Sequence, residues 1–256
     1  MNRKGVFVLL FFSILVGCGL TEGRIKREKE ATAHYKFGVA YLRDNPPSIQ
    51  QAYVEFQKAL KLDPRHMDAH YALGHVHFRR ENYLDAIASF KKVLSIDPNY
   101  SEAYNYLGKV YEVQGKLGKA VEAYQKALEN KQYATPQLPH LNLGLLYLKQ
   151  EKYDEARREF QNVLRFDSDN IVAHNELGRV YHQLGNQKEA IGSYQEAIRR
   201  APAYLDAHYN LAFSYLKDGS KGLAAKEFKK VIELSPQSQQ AKESEKFWMP
   251  SNSKKQ

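Results

Sequence analysis

A segment that recurs every 34 to 36 residues restricts the fold of this chain more than any other feature. The copies read Phe37-Gly38…Tyr41, Leu73-Gly74…His77, Leu107-Gly108…Tyr111, Leu143-Gly144…Tyr147, Leu177-Gly178…Tyr181 and Leu211-Ala212…Tyr215. Each is followed by an alanine (Ala52, Ala86, Ala120, Ala156, Ala190, Ala224) and, four residues on, by a ring (Phe56, Phe90, Tyr124, Phe160, Tyr194, Phe228). Three residues later comes Ala59, Val93, Ala127, Val163, Ala197 or Val231, and prolines stand at 64, 98, 202 and 236. Spacings of one, three and four place each set on one side of a helix. Glycine facing alanine removes bulk, so two antiparallel helices approach closely and the rings fill what remains. Proline then stops the second helix. Neither helix buries its face alone, so neighbouring copies must stack.

The pattern resembles the tetratricopeptide repeat. The resemblance implies an all-α fold, a right-handed α-solenoid superhelix of six helix-turn-helix repeats with a concave groove. The repeats read as 31–66, 67–100, 101–136, 137–170, 171–204 and 205–238. The polar stretch from Gln237 to Phe247 is expected to cap the open end, within a final segment 239–256 whose residues from Trp248 onward read as a frayed tail. The tryptophan usual at the fourth position is replaced by His34, His70, Tyr104, His140, His174 and His208. Rings one repeat apart are expected to pack between helices and not to share a metal. His66, His70, His75 and His77 lie closer together, but His66 falls in a turn, and no metal site is expected there. The first copy carries extra residues around Asn45-Pro46-Pro47, and the third ends in Tyr133-Ala-Thr-Pro136 without its closing proline.

Ahead of the repeats, Asn2-Arg3-Lys4 precedes an uncharged apolar run from Val6 to Val16. Eleven residues suit a signal peptide better than a spanning helix. The run ends in Leu15-Val16-Gly17-Cys18, similar to the bacterial lipobox, and Cys18 is the one cysteine of the chain. The resemblance implies a signal peptide over 1–17, cleavage before Cys18, and diacylglycerol on its sulfur, with residues 18–30 as lipidated N-terminus and tether. Gly19 stands where an Asp retains many lipoproteins at the inner membrane, so outer-membrane anchoring on the periplasmic face is expected.

A single cysteine excludes an internal disulfide and any multi-cysteine metal site. The 38 basic and 29 acidic side chains are scattered along helix faces without a basic stripe, and an exported protein is removed from nucleic acid. No phosphate-binding loop, HExxH or GxSxG occurs, so neither catalysis nor a small-molecule substrate is expected, and the expected cofactors are none beyond the lipid on Cys18.

Function is then expected from the groove. The family places positions two, five, six, nine, twelve and thirteen of each repeat there. Carried over, these are Tyr35, Val39, Tyr71, His75, Phe78, Asn105, Lys109, Leu141, Asn142, Leu145, Asn175, Arg179, Tyr209, Asn210 and Phe213. The fourth repeat is the most apolar, with Leu138 and Leu148 added. Exposed rings and aliphatic groups favour a surface that a partner covers. Basic residues at the thirteenth position (Arg43, Arg79, Lys149, Lys217) serve either a helix C-terminal dipole or a ligand. Six such repeats behind a lipobox look like the pilotin lipoproteins of type IV pilus biogenesis. That resemblance implies an outer-membrane scaffold whose protein partner is a secretin or another pilus-assembly component. The alternative is a lipoprotein adaptor that organises peptidoglycan enzymes.

Overall fold

The computed structural model describes the backbone of residues 3–248 and the side chains of residues 21–248. The expected signal peptide (1–17), the lipidation site Cys18 and the tail after Trp248 lie outside the described side chains.

Among the described residues there are thirteen helices and no strand, an all-α solenoid of hairpins as the repeat spacing predicts. They are α1 (Arg3–Arg43), α2 (Ile49–Leu62), α3 (Met67–Arg79), α4 (Tyr83–Ile96), α5 (Ser101–Val113), α6 (Leu117–Glu129) and α7 (Gln137–Lys149). After them come α8 (Tyr153–Phe166), α9 (Ile171–Gln183), α10 (Gln187–Arg200), α11 (Leu205–Lys217), α12 (Lys221–Leu234) and α13 (Gln239–Trp248). The chain divides into two compact units, residues 1–123 and 124–256. Residues 21–30, expected as a tether, are helical and continue α1 with every side chain exposed.

The repeat positions explain why each hairpin closes. At Gly74 an added Cβ would lie 2.5 Å from the Phe90 ring, at Gly144 2.7 Å from Phe160, and at Gly178 2.6 Å from Tyr194. Those rings are fully buried, so the approach is possible only without a side chain at the glycine. The turn inside the hairpin holds a left-handed residue: Gly115, Gly185 and Gly219, and at the matching places Glu81 (φ 60°) and Glu151 (φ 59°). The second helices α2, α4, α8, α10 and α12 end where the backbone turns extended, as at Asp63 (φ −132°, ψ 95°) before Pro64. A following proline disfavours the helical region for its predecessor. Asp167 takes a similar conformation (φ −141°, ψ 85°) with Ser168 behind it.

Stacking buries the second helix of one hairpin under the first helix of the next. Ala86, Phe90 and Val93 form one cluster with Ala103, Leu107 and Val110. Ala156 and Phe160 do the same with Leu177 and Val180, and Ala190 and Tyr194 with Leu211. At the C-terminal end α13 supplies the cover: Ala241 and Ser244 are buried, and the Phe247 ring stacks on Phe228 at 5.0 Å. Trp248, expected in the frayed tail, instead packs against this last cluster. A broad indole beside an apolar wall gains more from burial than a solvated end would give.

The fourth-position histidines act as clasps as well as packing rings. Nδ1–H of His34, His140 and His208 donates to Glu55, Glu159 and Glu227 of the paired helix, each at 2.6 Å. The other nitrogen of His70, His174 and His208 meets the carbonyl of Pro64, Ser168 or Pro202 at 2.9–3.0 Å. His208 therefore faces an acceptor on both sides, which favours the doubly protonated ring. Burial alone would depress its pKa, but the Glu227 and Pro202 bonds carry it above the ordinary histidine value.

Candidate partner-binding faces

In residues 1–123 the expected groove positions hold rings that pack on one another. The His75 ring sits 3.9 Å from Tyr106 and 4.5 Å from Tyr71, both edge-on, and Tyr106 stacks on Phe90 at 5.7 Å. Tyr71 meets Tyr100 at 5.2 Å, and Tyr35 lies 5.2 Å from His66. Lys109 places its ammonium 5.2 Å above Tyr106. Desolvation in this box, aided by the Lys109 charge, pulls the His75 pKa down to about 4. The ring is neutral at neutral pH. Burial, then the neighbouring Glu102 and Asp68, pushes the Tyr100 phenol up to about 12. Val39 is half-buried with Tyr35 against the α2 cluster, and Phe78 lies against Tyr83 at 6.0 Å.

Residues 124–256 present a different surface. Leu145 is 37% exposed, and a cavity of about 350 Å³ opens beside it, lined by Leu148, Lys149, Glu151, Tyr153, Arg179 and Gln183. A second cavity, of about 200 Å³, shares Arg179 and Gln183 and adds His182, Asn210 and Phe213. Together they form a trough in which Leu145, Leu148 and Phe213 stand beside Lys149, Arg179 and Glu151. Leu141 and Asn142 are half-buried on the same α7 face. A polar chain fixes the floor of the trough. Arg179 donates to the buried Glu176 carboxylate at 2.5 Å, Asn175 Nδ2 donates to its other oxygen at 2.9 Å, and Asn210 donates to Asn175 at 3.1 Å. Such a carboxylate is tolerated out of water because each oxygen has a donor.

Two of the expected groove residues are corrected by burial. Asn105 and Asn175 are only 2% and 1% exposed, so neither offers its amide at a surface. Asn175 is a link in the Glu176 chain instead. Tyr209 and Phe213 are also covered in part, by the chain itself: Tyr209 donates to Glu243 of α13 and Phe213 meets Phe247 at 5.5 Å. Burial, and then its hydrogen bond to Glu243, pushes the Tyr209 phenol up to about 12. Arg179 and Asn210 thus share one open site with Leu145, while His75, Tyr71 and Lys109 close on each other. Glu176 stands at position six, which the family turns toward a partner, but the sequence reading did not single it out; the structure buries it at 7% exposure. Among the described residues no group of three histidine, cysteine or acidic side chains could hold a metal ion. No described helix is long and apolar enough to cross a membrane.

With this geometry in place, the comparisons with known proteins fall on the same class. Sequence profiles of the tetratricopeptide repeat match residues 65–132, 141–204 and 188–239. The chain is a tetratricopeptide-repeat protein, a class that consists typically of non-enzymatic scaffolds. Its fold is similar to PilF of Pseudomonas aeruginosa, with a TM-score of 0.74 and 22% identity over 85% of this chain and 97% of that one. It is similar also to PilW, described as a widely conserved type IV pilus biogenesis factor, with a TM-score of 0.72 and 21% identity over 83% and 97% of the two chains. YrrB, described as a repeat protein with an unusual peptide-binding site, matches with a TM-score of 0.62 and 21% identity over 75% and 97%. No curated protein matches the sequence.

Proposed function

We propose that this chain is a lipid-anchored scaffold on the periplasmic face of the outer membrane, which binds secretin subunits and promotes their assembly in type IV pilus biogenesis. The observation that carries the reading is the fold similarity to PilF and PilW, which extends over 97% of each of those chains. The sequence Leu15-Val16-Gly17-Cys18 adds the means of attachment. Acyl chains contribute roughly 0.8 kcal/mol per buried methylene, so two or three hold a protein at a membrane stably. Holding scaffold and partner on one surface raises their effective concentration. The trough beside Leu145 and Arg179 supplies the contact: Leu145 and Leu148 fit an aliphatic side chain of a peptide, and Lys149 and Arg179 a carboxylate next to it, with Glu151 on the same rim.

The test is a Cys18→Ala strain. The variant is expected to fold, to leave the membrane fraction, and to lose secretin multimers. Normal multimers in that strain would contradict the proposal, and a copurifying peptidoglycan enzyme with unaltered piliation would select the adaptor reading instead.

A further inference from the structure

The polar chain under the trough runs in one direction, and its chemistry sets that direction. Glu176 and Asn175 on α9 are buried, while Arg179 has half of its side chain exposed and lines both cavities. Asn210 on α11 is half-buried and lines the second cavity. An ionised carboxylate accepts hydrogen bonds and cannot donate them, whereas a primary amide does both from opposite ends. Asn175 must therefore turn Nδ2 toward Glu176, at 2.9 Å, and its Oδ1 the other way. Asn210 meets that oxygen with its own Nδ2, at 3.1 Å, and so turns its Oδ1 away from Asn175. Arg179 reaches the other Glu176 oxygen through Nη1, one of its three nitrogens. Flipping either amide would set like groups face to face inside the protein. A buried polar group left without its partner costs more than the bond itself contributes.

We infer that Glu176 is a positioning residue: through Asn175 it holds the Asn210 side chain with its carbonyl oxygen presented to the trough, beside the donors of Arg179. The inference rests on the trough being the peptide site proposed above, and it adds what the bound segment must offer. Asn210 takes a backbone N–H of the peptide, next to the carboxylate that Arg179 and Lys149 receive. Because the amide is oriented before the peptide arrives, a ligand lacking that N–H leaves the Asn210 oxygen unpaired. Sites built to hydrogen-bond a ligand group discriminate strongly against analogues without it.

The probe is a fluorescein-labelled peptide, Gly-Ser-Leu-Asp-Gly-Ser with an amidated C-terminus, and analogues in which each backbone N–H in turn is replaced by an ester oxygen. A second series, ending in Leu with a free carboxylate in place of Asp, distinguishes a chain terminus from an acidic side chain as the carboxylate source. Binding to the full chain is followed by anisotropy. One ester analogue is expected to bind the wild-type protein at least fivefold more weakly than its parent peptide. In Glu176→Gln the new amide gives its oxygen to Arg179 and its Nε2 to Asn175, so both asparagines reverse and Asn210 turns N–H groups to the trough. The same analogue is then expected to bind within twofold of its parent. Circular dichroism checks folding. Asn175→Ala removes the middle link, leaves the Arg179–Glu176 pair, and gives the same readout where Glu176→Gln does not fold. No saturable binding of either parent peptide to the wild-type chain contradicts the peptide site itself, and the inference with it. Binding without a preferred N–H, or an unchanged preference in a folded variant, overturns the role of Glu176 alone.

Discussion

Residues 1–123 and 124–256 use one repeat to build two kinds of surface. In the first unit Tyr71, His75, Phe90 and Tyr106 meet edge-on or stacked, so the positions that the repeat aims outward satisfy one another. In the second unit the corresponding positions are Leu141, Leu145, Arg179 and Asn210, and cavities remain between them. Ring size decides the difference. Aromatic side chains at successive positions five, six and nine reach from one hairpin to the next and close the space. Leucine and asparagine stop short of it. A repeat position therefore says which way a side chain points, while the neighbouring repeat decides whether anything outside can touch it.

The largest effect separates the units by stability. Tyr106→Ala removes a half-buried ring that touches three others and is expected to cost about 2–4 kcal/mol in urea unfolding. Leu145→Ala, at a 37% exposed site, is expected to stay within about 0.5 kcal/mol. Similar losses at the two positions would erase the distinction between a closed face and an open one.

The pH dependence is the next handle. His75 has its pKa lowered to about 4 from the ordinary 6.5, so the unfolded chain binds a proton there that the folded chain refuses. The associated stability is full above pH 6.5 and lost as pH falls toward 4, amounting to about 3 kcal/mol. His208 runs the other way. Its raised pKa gives stability that is present below pH 6.5 and lost as pH rises through the folded value. Proton-resolved titration of the two imidazoles is expected to place His75 far below and His208 above the free value. A His75→Gln chain is expected to flatten the acid limb of the stability curve.

Smaller than either is strain in the hairpin turns. Glu81 and Glu151 hold the left-handed conformation that Gly115, Gly185 and Gly219 hold elsewhere, one in each unit. Glu81→Gly and Glu151→Gly are each expected to stabilise by about 1 kcal/mol or less, because the relief of the side chain is partly offset by the greater freedom of unfolded glycine. Thermal melts of the two single variants measure this directly, and a loss of stability in both would mean that neither turn is strained by its side chain.

The hairpins and their stacking were legible in the sequence, because each rests on small residues and rings at fixed spacing. The partner of the glycine was read as the facing alanine, whereas at Gly74 it is the Phe90 ring that occupies the space. The histidine clasps were not read, although a signal was there. His34, His140 and His208 are each followed 19 to 21 residues later by a glutamate, whereas the places after His70 and His174 hold Ser89 and Ser193. That pairing spans two helices and has no counterpart in local periodicity. The burial of Asn105 and Asn175 escaped for a different reason. Exposure at those positions depends on the size of side chains one repeat away, and the carboxylate that holds Asn175 belongs to Glu176, a groove-facing position by repeat register that the fold nevertheless buries.

The most direct measurement is the amount of heat-resistant secretin multimer in cells whose only copy of this protein carries Leu145→Asp and Lys149→Glu. Both sites are exposed, so the scaffold stays folded, while Leu145 and Lys149 are lost from the lining of the trough. Loss of the multimer with normal levels of folded scaffold is the predicted result. Multimers at the wild-type level in those cells would contradict the account.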